Sequence, residues 1–388
     1  MTARISRPFP IIFALWAAGL GAAAQFGKIS ILYDLLVAQY GGTGRVAFMV
    51  SVVGLVGLVF GTTAGIIVER LGLRRVLLAA LATGAGISAF QSVLPSYPLL
   101  MASRIVEGMS HLAIVVVGPV LIAQAAPPRH QGFAMTLWSS FFGLSYALLA
   151  LIGGWFIARG AGSLFLAHAG YMAAMTALIW TLLPPQPPLA ARDLPQGGVL
   201  AQHVEIYHSP RIAAPASGFV FYMMLYVALL TLLPPMLGRD RVIAATSMPL
   251  LSIGISLTLG VWLLKRMPAV RIVQGGFAVG LVAALALGLF WGLPHVRLAA
   301  ALLLTAALGM VQGASFASIP QLNPVEADRA RASGAVAQLG NLGTTTGTPI
   351  LAALVGAFGA AGVIGFAVPL CAGGILDRKS TRLNSSHY

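Results

Sequence analysis

Charge is what this sequence has least of. Only 8% of its 388 residues are Asp, Glu, Lys or Arg, against roughly 25% in a soluble chain. That leaves too little polar surface to cover even one water-facing domain. Cysteine is almost absent as well. Cys371 stands alone, and without a partner in the chain it excludes a disulfide scaffold. Acids number 9 against 23 Lys and Arg, a formal charge of +14. On a soluble protein such an excess would suggest nucleic acid. Here the bases sit in short loops between apolar runs, where their natural counterpart is anionic lipid. No nucleic-acid partner is expected. No Gly-x-x-x-x-Gly-Lys-Ser/Thr loop is present, so nucleotide-driven work is not expected either. Neither is a cofactor or a metal.

What is abundant is hydrophobic sequence, 58% of the chain. About 20 apolar residues cross the roughly 30 Å of hydrocarbon in a bilayer. Twelve stretches qualify: Pro10–Leu32, Val46–Val68, Val76–Leu94, Tyr97–Gln124, Gly132–Ile157 and Ser163–Leu183, then Ile212–Gly238, Val242–Leu264, Ile272–Leu293, Leu298–Pro320, Gly334–Gly356 and Ala361–Leu376. With the amino terminus inside, thirteen basic residues fall on the cytoplasmic side, among them Arg70, Arg74, Arg75, Arg129 and Arg331. Six fall outside: Lys28, Arg45, Arg159, Arg239, Arg241 and Arg297. Both termini are therefore expected in the cytoplasm. The first apolar run is too long for a cleaved signal, and no small-residue cleavage site follows it. The reading is an all-α membrane protein, multi-pass, in a bacterial cytoplasmic (inner) membrane.

Residues 1–183 form one six-helix block and 212–376 another. Residues 184–211, rich in Pro and Gly and containing PPQPP, are expected to be a cytoplasmic linker, too short to bury a core. From Asp377 the chain turns abruptly polar (DRKSTRLNSSHY). That segment resembles translated library adaptor, so 377–388 is read as a non-native tail and the last helix as truncated. The two blocks echo each other weakly. ERLGLRR between spans two and three has a degraded counterpart, KRMPAVR, between spans eight and nine. Arg129 precedes Gly132 by three residues, as Arg331 precedes Gly334. A six-plus-six repeat suggests a duplicated transporter.

The stretch GIIVERLGLRR resembles the loop signature of the major facilitator superfamily, Gly-x-x-x-Asp-Arg-x-Gly-Arg-Arg/Lys. Gly65, Arg70, Gly72, Arg74 and Arg75 match it, and Glu69 replaces the aspartate. SRIVEGMSHLA in span four is similar to the family's second signature through Arg104 and Gly108. Span five holds Gly143, Gly153 and Gly154 but lacks the proline of the family's antiporter signature. The resemblance covers essentially the whole chain. It implies two pseudo-symmetric six-helix bundles around one central site, and a cytoplasmic gate at Gly65, Glu69, Arg70, Gly72, Arg74 and Arg75. It also makes span eleven, with Gly340, Gly343 and Gly347, the partner of the span-two glycine face formed by Gly57, Gly61 and Gly65.

The costly residues lie in span four. Arg104, Glu107, Gly108 and His111 share one helical face, and a charge near mid-bilayer costs about 2.5–3.5 kcal/mol. Two readings stand. Either Arg104 and Glu107 are a structural ion pair, or the face lines a cavity where Arg104 meets an anionic group and Glu107 carries a proton. His111 would be a relay or a packed histidine. Gln25, Gln312, Gln338 and Asn341 could bond a solute or bridge helices. Trp138, Tyr222 and Tyr226 could line the cavity or pack. Lys28, near the outer interface, is expected to snorkel, and His168 to line the mouth or serve structure. The second-half spans hold no Asp, Glu, Lys or Arg, which points any proton coupling to the first half.

The functional expectation is a secondary carrier that moves a small organic solute by alternating access, with an anionic solute and proton-coupled symport as the finer reading. An exporter of drugs or metabolites is the alternative within the family. The loops lack the His, Asp, Glu or Cys cluster of a membrane enzyme, and the charged rings of a pore are missing too. The expected partners are the solute, the bilayer and protons, and a monomer is expected.

Overall fold

The computed structural model describes residues 8–127, 130, 134, 137–184, 204, 206–323 and 326–376. The side chains of 62, 63, 65–70, 123, 320, 326, 327, 329, 330 and 333 also lie outside what it describes. The first half contains α1 (Pro8–Ile31), the short α2 (Tyr33–Tyr40), α3 (Thr43–Leu71), α4 (Leu73–Gln91), α5 (Tyr97–Ala125), α6 (Phe141–Ile157) and α7 (Ala161–Leu182). The second half contains α8 (Pro210–Met236), α9 (Arg241–Ile255), α10 (Ala269–Leu289), α11 (Pro294–Leu322), α12 (Glu326–Phe358) and α13 (Ala360–Leu376). A π-helical turn, Ser256–Gly260, and a last turn, Val261–Leu264, prolong α9.

Helices are what this composition allows, because inside lipid each backbone group must find its partner within its own segment. Among the described residues, nine helices have the length and apolarity to cross a membrane, and α6 and α13 are shorter apolar helices. Large apolar side chains point outward around the molecule, Leu289 at 78% exposure and Trp180 at 64% among them. A water-soluble fold would bury these groups, while hydrocarbon accommodates them.

Two boundaries differ from the sequence expectation for a physical reason. The fifth span was expected to run unbroken from Gly132, but residues 134 and 137–139 are helical, a turn follows at Ser140, and the unbroken helix is Phe141–Ile157. Ser140 interrupts it, its Oγ donating to Leu137 O at 2.7 Å and accepting from Trp16 Nε1 at 3.3 Å. The eleventh span begins at Glu326 rather than Gly334. EADRARA is too polar for a membrane window, yet it is a good helix former and carries α12 beyond the apolar zone.

The halves meet along two seams, α3 against α12 and α6 against α9. Glycine makes the first possible. A Cβ at Gly57 would overlap the Asn341 carboxamide, and one at Gly54 would lie 2.5 Å from Thr344 Oγ1. The partner helix is α12, but its own glycines face elsewhere. Gly340 packs on Phe219, and Gly343 and Gly347 pack on Met223 and Met224, all of α8.

Candidate functional site

The centre of the first half is a fully buried polar cluster drawn from five helices. Arg104 and Glu107 of α5 are both 0% exposed and bond to each other. Arg104 also donates from Nε to Met49 O of α3 at 3.0 Å and from Nη1 to Gln25 O of α1 at 2.7 Å. Its Nη2 has no acceptor among the described residues. Glu107 accepts from Lys28 Nζ at 2.5 Å and from Gln91 Nε2 at 3.0 Å. Lys28 Nζ reaches Ser88 Oγ at 2.9 Å and His168 Nδ1 at 3.4 Å, and lies 5.0 Å from the Phe165 ring centroid.

Lys28 corrects the sequence reading. It does not snorkel: its exposure is 0%. α1 turns Gln25 and Lys28, one turn apart, toward α4 and α5, and Glu107 supplies the charge that water would otherwise have provided. His168 does not open to a mouth but is buried at 5% exposure, with Nε2 3.0 Å from Gly21 O. Lys28, Ser88, Gln91, His168 and Ser103, whose Oγ accepts from Gln91 Nε2 at 3.0 Å, were missed as cluster members. The available signal was the spacing of Gln25 with Lys28 and of Ser88 with Gln91, each three residues apart on an otherwise apolar helix.

The other named residues spread over three places. His111, one turn from Glu107, lies with Nδ1 3.0 Å from Ala22 O and edge-on to Phe26 at 4.9 Å. Gln25 Nε2 donates to Ser110 Oγ at 3.0 Å. Trp138 is buried against Gly19 of α1 and Gly118 of α5. Gln312, Gln338 and Asn341 lie at the seams. Gln312 Nε2 donates to Ser139 O at 3.2 Å, and Gln338 Nε2 to Leu58 O at 3.0 Å. Asn341 Nδ2 bonds back to Ala337 O at 2.8 Å.

From the cluster a chain of contacts runs to the junction of the halves. Phe26 lies 5.8 Å from Phe142, which stacks on Tyr146 at 5.3 Å. The Tyr146 hydroxyl is 3.2 Å from Ser30 Oγ, and Ser30 is 2.8 Å from Thr231 Oγ1 of α8. Beyond these, Arg241 Nη1 donates to Asp34 Oδ2 at 2.6 Å across the halves. On the α8 side Tyr222 and Tyr226 stack at 5.1 Å, and the Tyr222 hydroxyl is buried without a partner among the described residues.

At the α3–α4 turn, Gly72 adopts φ +86°, a left-handed conformation that glycine enters at no steric cost. Arg74 folds onto the end of α7, with Nε to Leu183 O at 2.6 Å, Nη2 to Trp180 O at 2.9 Å and its guanidinium 4.9 Å from the Trp180 ring. It thereby satisfies carbonyls left free at a helix end, where positive charge is favoured. Arg75 is exposed. Gly65, Glu69 and Arg70 belong to α3, and their side chains lie outside the described residues.

Two packed helical halves with apolar outer faces define an integral multi-pass membrane protein. The family model of the Major Facilitator Superfamily matches residues 11–348. The chain belongs to that superfamily. It is 28% identical over 124 residues to a probable 4-methylmuconolactone transporter of Cupriavidus pinatubonensis, covering 32% of this chain and 28% of that one. It is 26% identical over 161 residues to the niacin transporter NiaP of Acinetobacter baylyi, covering 39% and 37%. The matches thus span about a third of the length of these relatives. Among solved structures, the human organic anion transporter MFSD10 superposes with TM-score 0.74 at 16% identity, covering 95% of this chain and 98% of that one. A bacterial homolog of the human lysosomal transporter Spinster, inward-facing and occupied, also gives 0.74, at 12% identity, covering 99% and 98%. At such identities the structures share the fold.

Proposed function

We propose that this chain is a secondary carrier that moves a small organic acid by alternating access, the two halves rocking about a site at their junction. One observation carries the reading: the first half buries two cations, Arg104 and Lys28, against one carboxylate, Glu107, all at 0% exposure. Taken as ionised, the cluster holds one excess positive charge. In a medium of effective dielectric about 20, a unit negative charge about 10 Å away gains on the order of 1.7 kcal/mol from it. A solute chamber opened at the junction would therefore favour a carboxylate over a neutral or cationic solute. Arg104 Nη2, which has no acceptor among the described residues, is the donor assigned to that carboxylate. Gln25 and His111 line the approach from the first half, and Trp138, Gln312, Gln338 and Asn341 hold the walls and the seam.

The niacin and 4-methylmuconolactone named for the relatives are both small ring compounds, a size that suits an approach built from Phe26, Phe142, Tyr146 and Tyr222. Glu69, Arg70, Gly72, Arg74 and Arg75, with Gly65, form the gate on the cytoplasmic side of a bacterial inner membrane. There the basic loops face anionic lipid and both termini lie inside.

The test is counterflow of labelled nicotinate in proteoliposomes of the purified protein. Saturable counterflow that Arg104→Ala lowers at least tenfold is the expected result. Flux that stays linear in nicotinate concentration, or an Arg104→Ala protein that matches the wild type, overturns the reading.

A further inference from the structure

Hydrogen-bond accounting at Lys28 goes further than charge counting. Lys28 Nζ has three acceptors in reach, Glu107 Oε1 at 2.5 Å, Ser88 Oγ at 2.9 Å and His168 Nδ1 at 3.4 Å, one for each proton of an ammonium. His168 Nε2 faces the Gly21 carbonyl at 3.0 Å. A carbonyl only accepts, so a proton sits on Nε2; with the Lys28 ammonium facing Nδ1, that nitrogen is the lone pair and the imidazole is neutral. Ser88 Oγ has one proton and two acceptors, Phe165 O and His168 Nδ1, both at 2.9 Å. If Lys28 releases a proton, its two remaining N–H groups stay on Glu107 and Ser88. The Ser88 proton then swings from Phe165 O to His168 Nδ1, and every N–H and O–H of Lys28, Ser88 and His168 keeps an acceptor.

Glu107 has no such freedom. A proton there would raise the cluster from one excess positive charge to two, and would weaken the acceptor that Arg104, Lys28 and Gln91 share. The remaining titratable groups around Lys28 are Arg104 and His111 of α5, Tyr146 of α6 and His168 of α7. Among the described residues, α4 presents Ser88 and Gln91 to the cluster and α3 presents the Met49 carbonyl to Arg104.

We propose that Lys28, not the carboxylate, takes up and returns the proton of the transport cycle, and does so in step with an anionic solute. This rests on the carrier reading above. With the chamber empty and Lys28 an amine, Arg104 and Glu107 cancel. With a monocarboxylate in the chamber and Lys28 an ammonium, the charges cancel again. The step is amine plus proton to ammonium, with no other bond made or broken. Each partner favours the arrival of the other, as linkage requires. The outcome is electroneutral symport of one proton with one monoanion.

The experiment uses the full chain in proteoliposomes with nicotinate as the probe. Wild type is expected to concentrate nicotinate under an inward proton gradient, unaffected by a clamped membrane potential. Its affinity should fall about tenfold per pH unit above the titration of one group. Lys28→Arg, whose guanidinium keeps its proton, and Lys28→Met should both lose gradient-driven accumulation and show a flat pH dependence. Accumulation by either variant at the wild-type level overturns the proposal. Should neither variant fold, infrared difference spectra of the wild type decide. Uptake of one proton per nicotinate bound without a new protonated-carboxyl band supports Lys28, and such a band assigns the proton to Glu107. A wild type that shows no saturable nicotinate movement overturns the carrier reading beneath. One that moves nicotinate without a proton overturns Lys28 alone.

Discussion

The two halves have opposite polar chemistry. In the first, charged groups from α1 and α5 interlock with amides, hydroxyls and an imidazole from α4 and α7, and nearly every bond crosses from one helix to another. In the second, the buried polar residues described are all uncharged, and most bond within their own helix. Thr231 donates to Val227 O, Thr305 to Ala301 O and Ser318 to Ser315 O. Cross-helix charged bonds fix helices relative to one another. Local hydroxyl bonds satisfy the donor and leave the helix free to shift against its neighbours. On that argument the charged half is expected to be the stiffer block and the neutral half the more adaptable one.

The sharpest way to break that contrast is Glu107→Gln. It leaves Arg104 and Lys28 buried without a counter-charge, and removing one partner of a buried pair costs about 3–5 kcal/mol. Thermal unfolding in detergent should show a large loss. Lys28→Met added to Glu107→Gln returns the cluster to its original single positive charge and should recover part of it. If Glu107→Gln unfolds like the wild type, the first half is not held by its charges. The next effect belongs to the seam. Gly57→Leu forces a side chain into Asn341 where the structure leaves no room for a Cβ, and overpacking of this kind costs about 1–3 kcal/mol. Because α3 and α12 belong to different halves, it should abolish nicotinate counterflow while each half stays inserted. Unchanged counterflow would show that α3 and α12 need not meet in this way.

Much of this was legible in the sequence, and what was missed has a common cause. Helix spacing within one element could be read. Arg104 with Glu107, three residues apart, is a pair on any helix. Relations between elements could not be read. α1 carries Gln25 and Lys28 on one face of an otherwise apolar helix, but its pattern does not say whether that face turns to the outer interface or to α5, and that rotation decides whether Lys28 meets solvent or Glu107. The same holds for His168, and for Gly340, Gly343 and Gly347, whose partner is α8 rather than α3 because two helices compete for the same small-residue helix. The interruption at Ser140 depends on Trp16, 124 residues away in sequence.

The smallest expected effect tests the neutral half. Tyr222 is fully buried and stacks on Tyr226 and Phe219 through its ring, but its hydroxyl finds no acceptor among the described residues. A buried hydroxyl without a partner is a cost of about 1–3 kcal/mol to the fold, so Tyr222→Phe keeps the ring contacts and removes a penalty. Its melting temperature should hold or rise slightly. If the hydroxyl is kept for a solute that donates or accepts at that point, nicotinate affinity should fall by about fivefold to tenfold, the worth of one hydrogen bond of roughly 1–1.5 kcal/mol. A gain in stability paired with that loss in affinity would show a second half adapted for binding rather than for rigidity. A Tyr222→Phe protein that loses stability instead would mean the hydroxyl serves the packing, and the contrast between the halves would narrow to the charges of α1 and α5.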